Sequence, residues 1–366
     1  MSESIAGLDT PVALVDVVRL EANLASMAAT LHEHGVAHRP HTKTHKTKEI
    51  AVRQLAHGAV GITVAKVGEA EVMAAAGMDD IFVAYPVIGE QKYARLVEVA
   101  ESARVRFALD SVEAVSMADS YFSRRGVPMT VLVEYDGGAG RSGTQSPEAA
   151  REVARAVAAS RSLELAGVMS YGNAYVARDL DEQERIGVAE GADAVAVAER
   201  IRADGIPCPV VSLGSTPTAR HAATVDGVTE IRAGVYAFHD LKQCSLGVST
   251  LDQCALTVLA TVVSHARPDR YVVDAGLKAL AGEDYGWGTY GRILDRPDIV
   301  VTGATEEHGI ITLPPEVADP GWALGDRVRI IPDHACGCVN MHDALVAVDG
   351  DEVVDTWRVI GRGKVR

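Results

Sequence analysis

Basic residues are in the minority in this chain of 366 residues, and prolines are few. There are 35 Lys and Arg against 50 Asp and Glu, which gives a formal net charge of -15, and there are only 14 prolines. A protein of this charge lacks the basic face with which nucleic-acid phosphates are neutralised, so a nucleic-acid partner is not expected. The 48% hydrophobic content predicts an ordered globular protein.

Long apolar runs and targeting signals are also missing. No uncharged apolar run approaches the length of a membrane span. Met1 to Thr10 contains neither the basic nor the apolar region of a signal peptide. The five cysteines are sparse and odd in number, which fits reduced thiols better than a disulfide framework. These features predict a soluble cytoplasmic protein without a membrane partner.

The first two thirds of the chain alternate short apolar runs with longer helix-patterned segments. Runs that are continuously apolar are typical of parallel strands buried on both faces. Eight such units favour a (β/α)8 TIM-type barrel over a doubly wound sheet. The runs are 36–43, 61–66, 80–85, 105–109, 129–135, 165–171, 210–213 and 229–236.

The pattern changes after Cys244. Short runs separated by Gly, Pro and Asp turns, without long helical periodicity, predict a mostly β domain. The early run 10–17 precedes the first barrel helix and could pair with that C-terminal sheet. We therefore predict an α/β fold with a barrel over 18–243, and a β domain formed by 1–17 and 244–366.

Lys43 stands out because histidines lie two residues to either side of it. It follows an apolar run, which predicts a position at the carboxyl end of a strand, where barrel enzymes keep their reactive groups. A lysine that is partly desolvated or close to other cations can be neutral and can form a Schiff base. The alternatives are an exposed basic loop, or a Schiff base on Lys66 or Lys278.

Three further segments follow predicted strands on the same side as Lys43. Residues 134–143 are rich in glycine and contain Arg141, which could fix an anionic group. Residues 212–218 could form a phosphate cradle from backbone N–H groups and hydroxyls, or could simply cap a helix. Phosphate sites in such barrels often follow strands seven and eight. Residues 232–236 lie at the end of the eighth run and therefore support the phosphate cradle. A lysine together with a phosphate cradle suggests pyridoxal 5'-phosphate (PLP).

The C-terminal domain contains a possible metal pair. In a strand, His334 and Cys336 would point to the same face and could bind one divalent ion, above all zinc. Two ligands are too few for a closed structural site, so the ion would be an open Lewis acid. Cys336 and Cys338 could instead be a redox pair or a coincidence.

Taken together, these segments resemble the D-serine dehydratase/D-threonine aldolase family of alanine-racemase-like (fold type III) PLP enzymes. The matching landmarks follow the family's order across nearly the whole chain. They are Pro40-His41-Thr42-Lys43, Gly140-Arg141-Ser142-Gly143, Gly214-Ser215-Thr216-Pro217-Thr218, Arg232-Ala233-Gly234-Val235-Tyr236, Asp274-Ala275-Gly276-Leu277-Lys278, Glu307-His308-Gly309 and His334-Ala335-Cys336.

The resemblance implies roles for individual residues and a homodimer whose active site lies at a domain and subunit boundary. Lys43 would be the catalytic Schiff-base lysine, and His334 with Cys336 would bind a divalent metal, zinc or manganese. The segment after the sixth run lacks the histidine that relatives often carry, which leaves Tyr171 as the second catalytic candidate. The remaining implied cofactor-binding residues are His41, Arg141, Gly214, Ser215, Thr216, Gly234, Val235 and Tyr236.

The expected reaction is dehydration of a β-hydroxy-D-amino acid, of D-serine, D-threonine or 3-hydroxyaspartate type, to a 2-oxo acid and ammonia. The resemblance implies it because the metal pair is His-x-Cys, whereas the aldolases tend to have His-x-Asp. Retro-aldol cleavage to glycine and an aldehyde is the alternative, followed by amino-acid racemisation, which needs no metal. A PLP-carrier protein of the same barrel type would lack the C-terminal β domain.

Overall fold

The computed structural model describes residues 4–177, 179–283 and 285–366, which form two compact units. One unit consists of residues 26–43, 51–234 and 364–366. The other consists of the chain up to residue 25 together with 44–50 and 235–363. The domain bounds predicted from the sequence remain a prediction, and residues 1–3 of the second domain lie outside the described part.

The first strand of the chain, β1 (Val12–Asp16), belongs to the second unit, and the next eight strands form a parallel sheet in the first. Neighbouring strands follow the order β2-β9-β8-β7-β6-β5-β4-β3. A parallel bridge between His41 and Thr63 joins the two ends of that order, so the sheet is the predicted barrel. The strands are β2 (Ala37–His38), β3 (Ile62–Val64), β4 (Asp80–Pro86), β5 (Arg104–Leu109), β6 (Met129–Tyr135), β7 (Leu163–Tyr171), β8 (Val210–Gly214) and β9 (Glu230–Ile231).

Each predicted apolar run overlaps one of these strands, but two of the strands are much shorter than predicted. The run 36–43 forms a strand only at Ala37–His38, and Lys43 lies beyond it in a 3-10 turn over Thr42–Thr44. The barrel core is apolar, with a fully buried cluster of Phe82, Ala108, Leu132 and Met169 on successive strands. Burying side chains such as these contributes about 1.5–3 kcal/mol for each large one.

The helices between the strands begin and end where local signals predict. Ser146 accepts a hydrogen bond from the Ala149 N–H and precedes Pro147, which is suited to a first helical position. Gly126 ends its helix in the left-handed conformation, with φ of 66°. The helices are α1 (Val17–Glu33), α2 (Lys48–Ala56), α3 (Val67–Ala75), α4 (Glu90–Ala100), α5 (Val112–Arg125), α6 (Pro147–Ala159), α7 (Leu180–Arg202) and α8 (Ala219–Ala222).

The second unit is built on a mostly antiparallel sheet, which confirms the prediction of a mostly β domain. Strand β1 lies inside it, antiparallel to β10 (Leu256–Arg267) and parallel to a strand near the C-terminus. The remaining strands are β11 (Arg270–Val273), β12 (Arg292–Ile293), β13 (Gly303–Ala304), β14 (Gly309–Thr312), β15 (Arg327–Ile331), β16 (Ala344–Asp349) and β17 (Glu352–Arg358). Three short helices complete the unit: α9 (Leu241–Ser245), α10 (Leu277–Leu280) and α11 (Ala335–Val339).

One local prediction is wrong. His334 and Cys336 do not lie in a strand, because α11 begins immediately after His334. His334 is extended, with φ of -140°, and Cys336 is the second residue of the helix. In the described ranges, none of the five cysteines forms a disulfide, and no helix has both the length and the apolar character needed to cross a membrane.

Candidate active site

Lys43 is held by a loop that is anchored to strands on both sides. The Lys43 N–H donates to Nδ1 of His41 at 3.4 Å, and the hydroxyl of Thr42 donates to the Thr63 carbonyl at 3.0 Å. The His41 N–H donates to the Ala233 carbonyl at 3.1 Å, beyond strand β9. These bonds fix the backbone that carries the lysine, although no regular strand reaches it.

The ring of Tyr171 brings together three of the predicted site residues. Tyr171 ends strand β7, and its ring centroid lies 5.8 Å from Nζ of Lys43. The guanidinium carbon of Arg141 lies 4.8 Å from the same centroid. Two cations therefore lie within reach of the π-electrons of one aromatic ring, an arrangement that stabilises positive charge there.

Glu134 provides an anionic neighbour for Arg141. One of its carboxylate oxygens accepts a hydrogen bond from the Ser142 hydroxyl at 2.8 Å. Burial raises the pKa of Glu134, an effect opposed by that hydrogen bond and by the charge of Arg141. Its other oxygen, Oε2, is buried without a hydrogen-bond partner among the described residues. This carboxylate was not identified from the sequence.

Gly214, Ser215 and Thr216 form a turn directly at the end of β8. A Cβ at Gly214 would lie 2.9 Å from a ring carbon of Tyr171 and 3.1 Å from Arg232, so the position requires glycine. Ser215 has φ of 108°, and its hydroxyl is buried without a hydrogen-bond partner in the described part of the chain. A buried, unsatisfied hydroxyl in a glycine-containing turn fits the acceptor oxygens of a phosphate group.

Arg232 lies behind this turn and is almost completely buried. Its guanidinium donates to the Ser212 hydroxyl at 2.7 Å and to the Ser170 carbonyl at 2.8 Å. Burial lowers its pKa, while the carboxylates of Glu230 and Glu190 oppose the shift. The residue was part of a sequence landmark, but no role had been assigned to it.

Glu190 is a second buried carboxyl that the sequence did not reveal. Its Oε1 accepts from the Gly172 N–H at 2.8 Å, and its Oε2 accepts from the Thr218 hydroxyl at 3.2 Å. Burial raises the pKa of Glu190 to about 7, although these hydrogen bonds and the charge of Arg232 oppose the shift. A glutamate in the middle of a polar helix gives no signal in a sequence.

The other three predicted cofactor residues follow β9. Gly234 is the last residue of the barrel unit before residue 364. Val235 and Tyr236 belong to the second unit, where they form a buried 3-10 turn with Ala237.

In the second unit, the side chains of His334 and Cys336 contact each other and are oriented by a carboxylate. Nδ1 of His334 lies 2.8 Å from Oδ2 of Asp240, which also accepts from the Ala335 N–H at 2.9 Å. Burial alone would lower the pKa of His334, but the neighbouring thiolate of Cys336 and Asp240 raise it to about 11. Asp240 was not identified from the sequence.

This pair fits an open metal site. A histidine that gives one ring nitrogen to a carboxylate keeps the other for a metal, and the carboxylate fixes the ring. The Thr44 hydroxyl lies 3.3 Å from Sγ of Cys336, and the ring of Tyr285 stands edge-on to His334 at 6.1 Å. Within the described residues, no group of three or more His, Cys, Asp or Glu side chains could hold a metal ion. The remaining ligands of an ion here would be water or substrate.

The rival candidates have other contacts. Nζ of Lys278 forms an exposed ion pair with Glu307 at 2.5 Å. Nζ of Lys66 lies 3.5 Å from the ring centroid of Tyr85. The thiol of Cys338 is buried and donates to the Ala279 carbonyl at 3.3 Å. None of these contacts links the residue to Tyr171 or to His334.

Two protein families match the chain, one after the other. Residues 15–242 match the alanine racemase N-terminal domain, and residues 255–348 match the serine dehydratase domain. Two relatives match over almost the full length. D-threo-3-hydroxyaspartate dehydratase of Delftia sp. is 36% identical, covering 98% of each chain. D-threonine aldolase of Arthrobacter sp. is 34% identical, covering 99% of this chain and 94% of the other.

Solved structures of a dehydratase and of an aldolase are both similar to this chain. The Delftia dehydratase superimposes with a TM-score of 0.91 at 35% identity, covering 97% of this chain and 98% of the other. D-threonine aldolase of Filomicrobium marinum gives 0.90 at 31% identity, covering 100% and 99%. Alanine racemase of Clostridium difficile gives 0.72 at 12% identity, covering 96% and 99%, a likeness of fold alone. The dehydratase has also been solved with a histidine replaced by alanine, and, metal-free, with a cysteine replaced by alanine two positions further on.

Proposed function

Because this chain belongs to the alanine-racemase-like family of PLP enzymes that includes hydroxy-D-amino-acid dehydratases and aldolases, we propose that it dehydrates a β-hydroxy-D-amino acid. The products would be a 2-oxo acid and ammonia. The observation that carries this choice is the pairing of His334 with Cys336 beside Asp240. The two positions replaced in the Delftia dehydratase have the same spacing as this pair.

The barrel residues described above would hold PLP. Lys43 would bind its aldehyde carbon, and Gly214, Ser215 and Thr216 would hold its phosphate. The unsatisfied hydroxyl of Ser215 supports this placement, since a phosphate oxygen would satisfy it. When bound, PLP supplies an electron sink for negative charge at the substrate Cα.

The chain's own residues would move the protons. Lys43, once released by the substrate amine, would remove the proton from Cα. Arg141, which lies with Lys43 beside the ring of Tyr171, would keep this site positive. His334 and Cys336 would hold a divalent ion, zinc or manganese, which supplies Lewis-acid assistance to departure of the β-hydroxyl.

Retro-aldol cleavage is the second candidate, because the Arthrobacter relative at 34% identity is a D-threonine aldolase. On the same scaffold, a base would remove the proton of the β-hydroxyl and the Cα–Cβ bond would break. Racemisation stands third because it has no use for the metal pair. The predicted homodimer is a separate proposal, which sedimentation would test.

Product analysis distinguishes these reactions. Purified protein is supplied with PLP and zinc or manganese, and is incubated with D-threonine, D-serine or D-threo-3-hydroxyaspartate beside a chelator-treated control. Metal-dependent 2-oxo acid and ammonia in equal amounts are expected. Glycine with an aldehyde would make the protein an aldolase. Inversion of configuration at Cα alone that survives the chelator would make it a racemase.

A further inference from the structure

Glu190 is a buried residue that accepts hydrogen bonds from the two turns that follow β7 and β8. It lies in helix α7 and is 3% exposed. Its two carboxylate oxygens accept one hydrogen bond each from Gly172 and Thr218. Gly172 follows Tyr171, and Thr218 ends the segment that begins with Gly214. One carboxyl group thus connects the Tyr171 turn to the phosphate turn.

Gly214, where the phosphate turn begins, is the last residue of β8. Gly214 pairs with Tyr171 in the register of β7 and β8, and Thr218, at the other end of the segment, donates to Glu190. The turn that carries the unsatisfied Ser215 hydroxyl is therefore set by hydrogen bonds at both its ends. From this geometry we infer that Glu190 is a positioning residue for the phosphate turn, an inference that rests on the PLP proposal.

Two glycines allow the close packing that this contact requires. A Cβ at Gly172 would lie 2.9 Å from the carboxylate carbon of Glu190. A Cβ at Gly187, one turn earlier on α7, would lie 2.9 Å from the Cβ of His221, just beyond Thr218. Glycines at these two positions let the helix approach both turns closely enough for direct hydrogen bonds.

Stability alone does not account for a carboxyl at this position. Burying an ionisable group costs free energy that a neutral side chain would not cost. The charged group that faces Glu190 is Arg232, whose own hydrogen bonds go to Ser212 and Ser170. Two donors, the Gly172 N–H and the Thr218 hydroxyl, converge on Glu190, and a carboxylate holds such donors more strongly than an amide would. These stronger bonds fix the positions of Gly172 and Thr218, and with them the two turns.

Two ligands that differ only in the phosphate test this role. Cofactor-free protein is prepared as wild type, Glu190→Gln and Glu190→Ala, and is titrated with PLP and with pyridoxal, which lacks the phosphate. Binding is followed by absorbance, so that no substrate turnover is needed. Glu184→Ala, an exposed position on the same helix, is the matched control.

We expect Glu190→Ala to raise the Kd for PLP at least tenfold and the Kd for pyridoxal less than twofold. Glu190→Gln, which keeps one acceptor oxygen and the volume, should fall between wild type and Glu190→Ala. Glu184→Ala should bind both ligands as the wild type does.

Equal losses for both ligands in Glu190→Gln would overturn the inference, because they would show a general structural role. Unchanged PLP binding in both variants would overturn it as well. Failure of the wild type to bind PLP at all would instead refute the proposed function. The glutamine variant decides the matter if the alanine variant does not fold.

Discussion

The carboxylate of Asp240 lies 2.8 Å from Nδ1 of His334, across 94 residues of sequence. Asp240 is completely buried, and its other oxygen accepts from the Gln243 N–H at 2.9 Å. Since its orientation is fixed by these bonds, the carboxylate fixes the plane of the imidazole. It also determines which ring nitrogen remains for a metal ion.

Replacing Asp240 with asparagine should lower the affinity for zinc by about 10- to 100-fold, as expected when the carboxylate behind a metal-binding histidine is lost. The amide keeps the shape but not the charge that holds the proton on Nδ1. Competition with a chromogenic chelator would measure the affinity. The exposed Asp252→Asn should leave it unchanged, and equal affinities in all three proteins would refute the role of Asp240.

Cys336→Ala should lose most of the bound metal and most of the activity, because only His334 would remain as a protein ligand. Added zinc should restore the activity only in part. Metal content after dialysis is the direct measurement. Cys338→Ala, two residues along the same helix, should retain its metal because that thiol contacts the Ala279 carbonyl instead. A fully active Cys336→Ala protein would show that the pair binds no catalytic metal.

Lys43→Ala should abolish the visible absorbance that PLP acquires when it is bonded to a protein lysine, and activity should fall by several orders of magnitude. The reason is that Lys43 supplies both the bond to the cofactor and the base. Lys278→Ala removes an exposed lysine that pairs with Glu307 and should leave the spectrum intact. If the Lys43 variant kept the band while the Lys278 variant lost it, the two assignments would be exchanged.

His38, at the end of β2, should make the protein less stable in acid. Burial lowers the pKa of His38 from 6.5 to about 4, so the native state keeps the ring neutral. Between pH 4 and 6.5, His38 is protonated in the unfolded chain but neutral in the native state. Stability is therefore complete above pH 6.5 and is lost as the pH falls towards 4, by up to roughly 3 kcal/mol.

The measurement is the free energy of unfolding of wild type and His38→Asn from pH 7.5 to 4.5. The advantage of the wild type over the variant should shrink steadily below pH 6.5. The exposed His34→Asn controls for loss of a histidine at the surface. A difference that does not depend on pH would mean that His38 is not kept neutral by the fold.

The barrel could be predicted because its signal is local. Strand β6, Met129–Tyr135, coincides with the run that predicted it, since a strand buried on both faces is apolar along most of its length. The same principle explains the failure at β2. Its run continued past His38 into residues such as Arg39 and Thr42, which are buried although they lie outside the strand. Burial and strand formation are separate properties, and an apolar pattern reports only the first.

The candidate site could be predicted only where the residue type and its local spacing in the sequence indicate the chemistry. Lys43 and the His334–Cys336 pair were found in this way, and their catalytic and metal-binding roles remain predictions. Asp240 and Glu190 were missed because an acidic residue near a helix normally faces water. Their importance comes from partners 94 and 18 residues away, respectively. The helix at Ala335–Val339 was missed because its five residues, with a glycine among them, carry no helical period.

Strand β1 sets a constraint on synthesis. It is enclosed between β10 and β16, with Leu14 opposite both Thr257 and Val346. The ribosome therefore releases a strand whose two neighbours do not yet exist. At about 5–20 residues per second, the first neighbour appears roughly 12–50 s later. Strand β1 must stay unpaired while the whole barrel is made, and any truncation that removes β16 should leave one of its two edges permanently unpaired.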